Sequence, residues 1–334
     1  MERSFGFRTW LAALTLLATV VSACGGGSGA TPSGAASAPA SAASNTTQPN
    51  TATAGKTIAV LSPDYGAQPA AKEAIDDFVA DAEGRGYKVT VVDTNSDNAA
   101  MNGEIATAAS RHVDAIVIAF GTPQEFGEGL AKAAAAQVPV FGLDTGGIVE
   151  PILVNVTTDN NVLGRESAQA LIDAMGGRGS VIMIHYDPFE PVRLRAAAAK
   201  ALFDEKGIKI IEYVLGDPAD STGFAKRTVF DLLTKYPKGQ VQGIWAGWDA
   251  SGLGAYQATQ EAGRSEVFIT SVDGQDFARA EVAKGLNWVA TVRQDWPVIA
   301  KTLRDIITDY FAGKTPTEKI VYVPARVITP QNAK

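Results

Sequence analysis

Two aspartates close short apolar runs in matching settings. Asp144 ends Phe141-Gly142-Leu143-Asp144, and Asp273 stands in Ser271-Val272-Asp273-Gly274. Arg193 opens a helical stretch, Gln294 follows Ala290-Thr291-Val292-Arg293, and Trp248 lies in Trp245-Ala246-Gly247-Trp248-Asp249. A carboxylate can accept from two adjacent hydroxyls, a guanidinium offers paired planar donors, and a carboxamide offers both kinds of group. An indole face covers C–H surface. This set is suited to gripping a small molecule with paired hydroxyls, without making or breaking a bond.

Bond-making chemistry finds little support. His112 and His185 are the only histidines, and they lie far apart in the sequence. No Gly-x-Ser-x-Gly elbow occurs. Gly25-Gly26-Gly27-Ser28-Gly29-Ala30 matches a dinucleotide fingerprint formally, but it follows no strand and opens no helix. Gly55-Lys56-Thr57 and Gly313-Lys314-Thr315 resemble the end of a phosphate loop, yet Asn50 and Thr308 occupy the place of the required earlier glycine. Cys24 is the single cysteine, which excludes an internal disulfide and any multi-cysteine metal cluster. No cofactor and no metal are expected, and an α/β enzyme is the remote alternative.

The elements that must position these residues alternate along the chain. Strand candidates fall at 57–61, 88–92, 115–119, 138–143, 152–156, 180–185, 208–214, 243–246, 267–271 and 288–292. Helix candidates lie between them at 67–83, 98–111, 123–136, 160–175, 191–206, 223–236, 250–262, 276–284 and 295–311. Unbroken apolar runs such as Ala115-Ile116-Val117-Ile118-Ala119 belong to parallel sheets covered on both faces. The alternation predicts a doubly wound α/β fold. It breaks at Asp144-Thr145-Gly146-Gly147, where one strand leads to the next without a long helix, so two sheets in two lobes are expected, with the site in the cleft between them.

The N-terminus carries a different message. Arg3 and Arg8 precede an apolar run from Trp10 to Val21, then small residues and Cys24, the order of a secretory signal. The apolar run is too short for a transmembrane helix, which needs about 20 residues. Val21-Ser22-Ala23-Cys24 resembles a bacterial lipobox, which implies cleavage before Cys24 and a lipid on its sulfur. Residues 25–55 contain only Gly, Ala, Ser, Thr, Pro, Asn, Gln and thus cannot build a core. They are read as a tether from 24 to 55, reaching roughly 30 Å as a random coil. The formal net charge is −7. Loss of residues 1–23, with Arg3, Arg8 and Glu2, removes one positive charge and leaves −8. An acidic body of this kind repels phosphate backbones, so no nucleic-acid partner is expected.

Taken in order, Phe141–Asp144, Val156-Thr157-Thr158-Asp159-Asn160, Arg193, Trp245–Asp249, Ser271–Gly274 and Ala290–Gln294 resemble the ribose-type periplasmic sugar-binding proteins of ABC transporters. The resemblance spans 56–334 and implies two Rossmann-like lobes joined by a three-segment hinge, 56–158 plus 295–322 and 159–294 plus 323–334. It further implies a monomer that closes on a small sugar or polyol and presents it to a membrane permease. Asp144, Arg193, Asp273 and Gln294 match the family's sugar-contacting positions. Trp248 is expected to stack on the ligand, with Tyr65 and Phe126 covering the other face. Trp245 and Trp288 are expected in the core, and Asp159 and Asp249 as helix caps. Thr145 replaces a family arginine, Trp248 a family asparagine, and Ser62-Pro63-Asp64-Tyr65 a family pair of phenylalanines, so the ligand is expected to differ from ribose. A receptor feeding a sensor kinase or chemoreceptor is the alternative on the same fold.

Overall fold

The computed structural model describes residues 54–333. Alternation of side chains along buried strands fixes two covered faces per sheet. In β1 (Thr57–Ser62), Ile58 and Val60 face one core while Ala59 and Leu61 face the other. Helices α1 (Pro69–Glu83) and α9 (Trp296–Phe311) cover the first face, and α2 (Asn98–Ser110) and α3 (Gly127–Ala135) cover the second. The sheet also holds β2 (Lys88–Asp93), β3 (Ala115–Ala119), β4 (Val140–Leu143), β5 (Ile152–Thr157) and β11 (Ile320–Tyr322), in the order β11-β5-β4-β3-β1-β2, all parallel.

The second sheet repeats the plan with β6 (Ser180–His185), β7 (Lys209–Leu215), β8 (Gly243–Ala246), β9 (Phe268–Asp273), β10 (Trp288–Arg293) and β12 (Arg326–Ile328). Its order is β12-β10-β9-β8-β6-β7, parallel except for β12 against β10. Ile182 and Ile184 pack with α6 (Ser221–Lys235), α7 (Asp249–Glu261) and α8 (Asp276–Val282), whereas Val181 and Met183 pack with α4 (Asn160–Ala174) and α5 (Glu190–Glu205). Each fully buried Leu, Ile or Phe of these four layers contributes about 1.5–3 kcal/mol by leaving water.

Over the described residues sheet membership changes three times: between β5 and α4, between β10 and α9, and between β11 and β12. Helix α9 follows a strand of the second sheet but buries Trp296, Ile299, Ala300, Leu303 and Ile307 in the first lobe, at helical spacing along one face. Strands β11 and β12 have three residues each and lie outside the ten strand candidates, because so short a run carries no period to read. The helix expected over 123–136 divides into a 3-10 turn at Pro123–Glu125 and α3. Among the described residues no helix is long and apolar enough to cross a membrane.

The lobes touch across the cleft. Phe189 packs against both the first-lobe and the second-lobe cores, and the Gln68 amide donates to the Pro218 carbonyl. Beside these contacts, Glu73 of α1 lies in the field of Asp276 of α8. Burial pushes its carboxyl up to about 7, with Asp276 and then Asp77 adding and Arg293 opposing. Because this folded value exceeds the ordinary 4.5, the stability Glu73 contributes is full below pH 4.5 and is lost as pH rises through about 7. Glu73→Gln therefore melts level with the parent near pH 4.5 and above it near pH 8, as differential scanning calorimetry across that range will record.

Candidate functional site

All loops that matter leave the carboxyl ends of parallel strands, where connections diverge and leave room. From the first lobe come Asp64 after β1, Phe120 and Thr122 after β3, and Asp144 after β4. From the second come Tyr186 and Phe189 after β6, Pro218 after β7, Trp248 after β8 and Asp273 at the end of β9. They enclose a cavity of about 220 Å³. Three of these residues turn into the left-handed region, Phe120 at φ 61°, Asp144 at φ 50° and Asp273 at φ 120°. Such conformations cost about 1–3 kcal/mol each and persist only where the surroundings enforce them. Here the ladder does so: Phe120 N–H donates to Leu143 carbonyl at 3.1 Å, Asp144 N–H to Val156 carbonyl at 3.0 Å, and Gln294 N–H to Asp273 carbonyl at 3.0 Å.

The floor is built around Arg195, 3 % exposed on α5. Its Nε donates to Asn160 Oδ1 at 2.6 Å, and Nη1 donates to Gly247 carbonyl at 3.0 Å and to Asp273 Oδ1 at 3.1 Å. Gln294 Nε2 donates to the same Asp273 oxygen at 3.2 Å, and Thr157 Oγ1 donates to Asp144 Oδ1. Burial raises the carboxyls of Asp144 and Asp273 above their ordinary value, and in both cases the Arg195 guanidinium is the main opposing influence. Asp64, at the rim, is pushed up to about 6 by burial, with the Ser96 hydroxyl opposing and Asp93 adding.

Beneath Asp273 lies a second carboxylate, Asp249. It accepts from Ser271 Oγ, from Thr291 Oγ1 at 2.6 Å and from the Gln275 N–H at 2.8 Å, tying β9, β10 and the turn after Asp273 to the start of α7. Burial, then the neighbouring Asp273, raises it. Among the described residues, three buried polar atoms around the floor keep no hydrogen-bond partner: Asp144 Oδ2, Gln294 Oε1 and Trp248 Nε1. Unmet groups of this kind cost about 1–3 kcal/mol each, which a polar guest could relieve. Trp248 lies close against the chain at Gly216, where a Cβ would stand 2.5 Å from its ring.

The predicted residues divide. Asp144, Asp273 and Trp248 line the cavity, and Gln294 stands behind, buried and bonded to Asp273. Arg193 does not join them. It is exposed, and its guanidinium donates to the Asp187 carbonyl at 2.7 Å and to Glu190 at 3.5 Å. Helix α5 buries Val192, Arg195, Ala196 and Ala199, so Arg193 falls off the buried face and Arg195 on it. That spacing is the readable signal for Arg195. Tyr65 turns back to α1, donating to Asp76 Oδ1 at 2.8 Å beneath the Lys72 ammonium. Phe126 is fully buried with Ile118 and Leu130, filling the core under Gly121, and Phe120 supplies the aromatic surface instead. Asp249, expected as a helix cap, is the buried support just described, while Asp159 does cap α4 through the Asn161 N–H at 2.8 Å. Trp245 and Trp288 are core residues, their indole N–H groups held by Ser167 and Ser271. His185 is bound locally to Asp187 at 2.8 Å and stacked on Tyr213. Cys24 lies outside the described residues.

Comparison with known proteins agrees with this geometry. The D-apiose import binding protein of Actinobacillus succinogenes is 26% identical over 281 residues, covering 83% of this chain and 89% of that protein. The ribose import binding protein RbsB of Bacillus subtilis is 26% identical, over 75% of this chain and 79% of its own. Among solved structures, an ABC transporter solute binding protein from Agrobacterium vitis with bound allitol superposes with a TM-score of 0.77 at 26% identity, covering 84% of this chain and 97% of that one. The family profile described as a periplasmic binding protein domain matches residues 58–315. With two facing α/β lobes and a cavity at the strand ends between them, this chain belongs to the periplasmic binding protein family.

Proposed function

We propose that the chain is the extracytoplasmic substrate-binding lipoprotein of an ABC importer, which takes a small sugar or polyol into the interlobe cavity and delivers it to a membrane permease. The observation that carries this reading is the pair of unmet polar atoms on residues lining the cleft, Asp144 Oδ2 and Trp248 Nε1, beside a cavity of about 220 Å³. A polyhydroxylated guest offers both donors and acceptors to meet them. The aromatic surfaces of Phe120, Phe189 and Trp248 suit its C–H faces. The relatives' ligands, D-apiose, ribose and allitol, support the same class.

In this reading the first lobe comprises 56–158 plus 295–322 and the second 159–294 plus 323–334. The three changes of sheet membership support that division. The ligand touches both lobes at once and so favours the closed arrangement by its differential contacts. Binding and release involve no covalent step. Residues 1–23 act as the signal, Cys24 carries the lipid and 24–55 hold the body off the bilayer, with the chain working as a monomer.

Three outcomes test this. Asp144→Ala weakens the best sugar or polyol found in a thermal-shift screen by about 2 kcal/mol, roughly thirtyfold in Kd by titration calorimetry, because the guest's hydroxyls lose their acceptor. Arg195→Ala abolishes measurable binding whereas Arg193→Ala changes Kd less than about threefold, since only the former leaves buried carboxylates uncompensated. Cys24→Ser leaves affinity intact and moves the protein from the membrane to the soluble fraction of fractionated cells.

A further inference from the structure

The charges that line the cavity do not balance. Asp64, Glu125, Asp144 and Asp273 are acidic, and among the described residues Arg195 is the one cationic side chain in the lining. Arg195 is already committed to Asp273, Asn160 and Gly247 at the floor. At the first-lobe rim, among the described residues, the Asp64 carboxylate receives only the Ser96 hydroxyl at 3.4 Å, and Glu125 only the Asn98 and Asn102 groups on its side chain and carbonyl. Both rim carboxylates act on one place. The Tyr186 ring lines the same cavity as Asp64 and Glu125, and its hydroxyl is pushed above its ordinary value by burial first, then by Asp64, Asp217 and Glu125.

A neutral polyol satisfies a carboxylate's lone pairs but not its charge, and crowding unpaired acids at a rim that solvent reaches costs free energy that salt screens in part. A cation would relieve it. Aromatic surface is also at hand, since Phe120, Tyr186, Phe189 and Trp248 all line the cavity, and π faces attract ammonium groups. At the floor the unmet Asp144 Oδ2, fully buried, and Trp248 Nε1 still call for hydroxyls. One end of the guest is therefore asked for hydroxyl groups and the other for positive charge.

Building on the polyol reading above, we infer that the preferred ligand is an amino-polyol or aminodeoxy sugar, its hydroxyls at Asp144 and Asp273 and its ammonium between Asp64 and Glu125. Anionic relatives of the same carbon skeleton are excluded by the same field.

Titration calorimetry with matched sets decides the matter: four- to six-carbon polyols and sugars, their 1-amino-1-deoxy counterparts and the corresponding aldonates, near pH 7.5. The expected result is that the amine binds about tenfold or more tightly than its neutral partner, that the gap narrows as salt is raised, and that aldonates do not bind. Asp64→Asn, nearly isosteric and checked for an unchanged melting profile, brings the amine-to-polyol affinity ratio close to one. Should that variant not fold, the salt dependence of the ratio in the parent protein answers the same question: a ratio that does not fall with salt overturns the inference. Neutral ligands binding as well as or better than amines also overturns it and leaves the polyol reading standing, with Asp64 and Glu125 as hydroxyl acceptors. Binding by none of the three classes overturns both.

Discussion

A single buried guanidinium holds the floor of the cleft together. Arg195 is taken out of water at a cost that only pairing and hydrogen bonding can offset. It meets that cost by reaching the first turn of α4 through Asn160, the end of β8 through Gly247 and the end of β9 through Asp273. Three separate loop ends are thereby fixed in one place. The carboxylates gain as well, because the arginine's field is the main influence opposing the desolvation of both Asp144 and Asp273. The position of Arg195 depends in turn on close backbone contact between α4 and α5: a Cβ on Gly164 would stand 2.1 Å from the Arg195 carbonyl oxygen.

Around this centre the fold separates support from presentation. Asp249, Ser271 and Thr291 lie below and hold the β9–α8 turn, so that Asp273 can keep a φ of 120° that the chain would not adopt alone. Trp296 backs Phe120 from the first-lobe core at 5.6 Å between ring centres. The groups that face the cavity are held by such neighbours while keeping Asp144 Oδ2 and Trp248 Nε1 unmet. Rigid supports with free polar tips are the arrangement expected of a binding site that must not reorganise when its guest arrives.

Much of the architecture is legible in the sequence because strand and helix periods survive in long elements. Ala115–Ala119 reads as a doubly covered strand and proves fully buried. The three-residue strands β11 and β12 carry no such period, and they exist because the chain's last crossing lays them on the edges of both sheets. Among site residues, strand ends are the reliable guide: Asp144, Trp248 and Asp273 stand where connections leave a sheet. Position within a helix is less so. Arg193 and Arg195 differ by two residues, hence by roughly 200° around α5, and only the spacing of Val192, Ala196 and Ala199 distinguishes them. Tyr65 and Phe126 depart from expectation because an aromatic in a loop is equally suited to a cavity wall, a surface contact or a core.

Local pattern was enough for the alternating α/β plan, the two-sheet division, the tether-like composition ahead of the body and the acids at the strand ends, since each is written in period, composition or turn chemistry. Packing in three dimensions was needed to say which arginine meets those acids, which rings face the cavity, and that Asp64 and Glu125 share a rim whose lining holds no second cation among the described residues. Those facts depend on which loops and helices far apart in the chain come to face one another; the apolar spacing of α5 marks Arg195 as buried but does not name its partners.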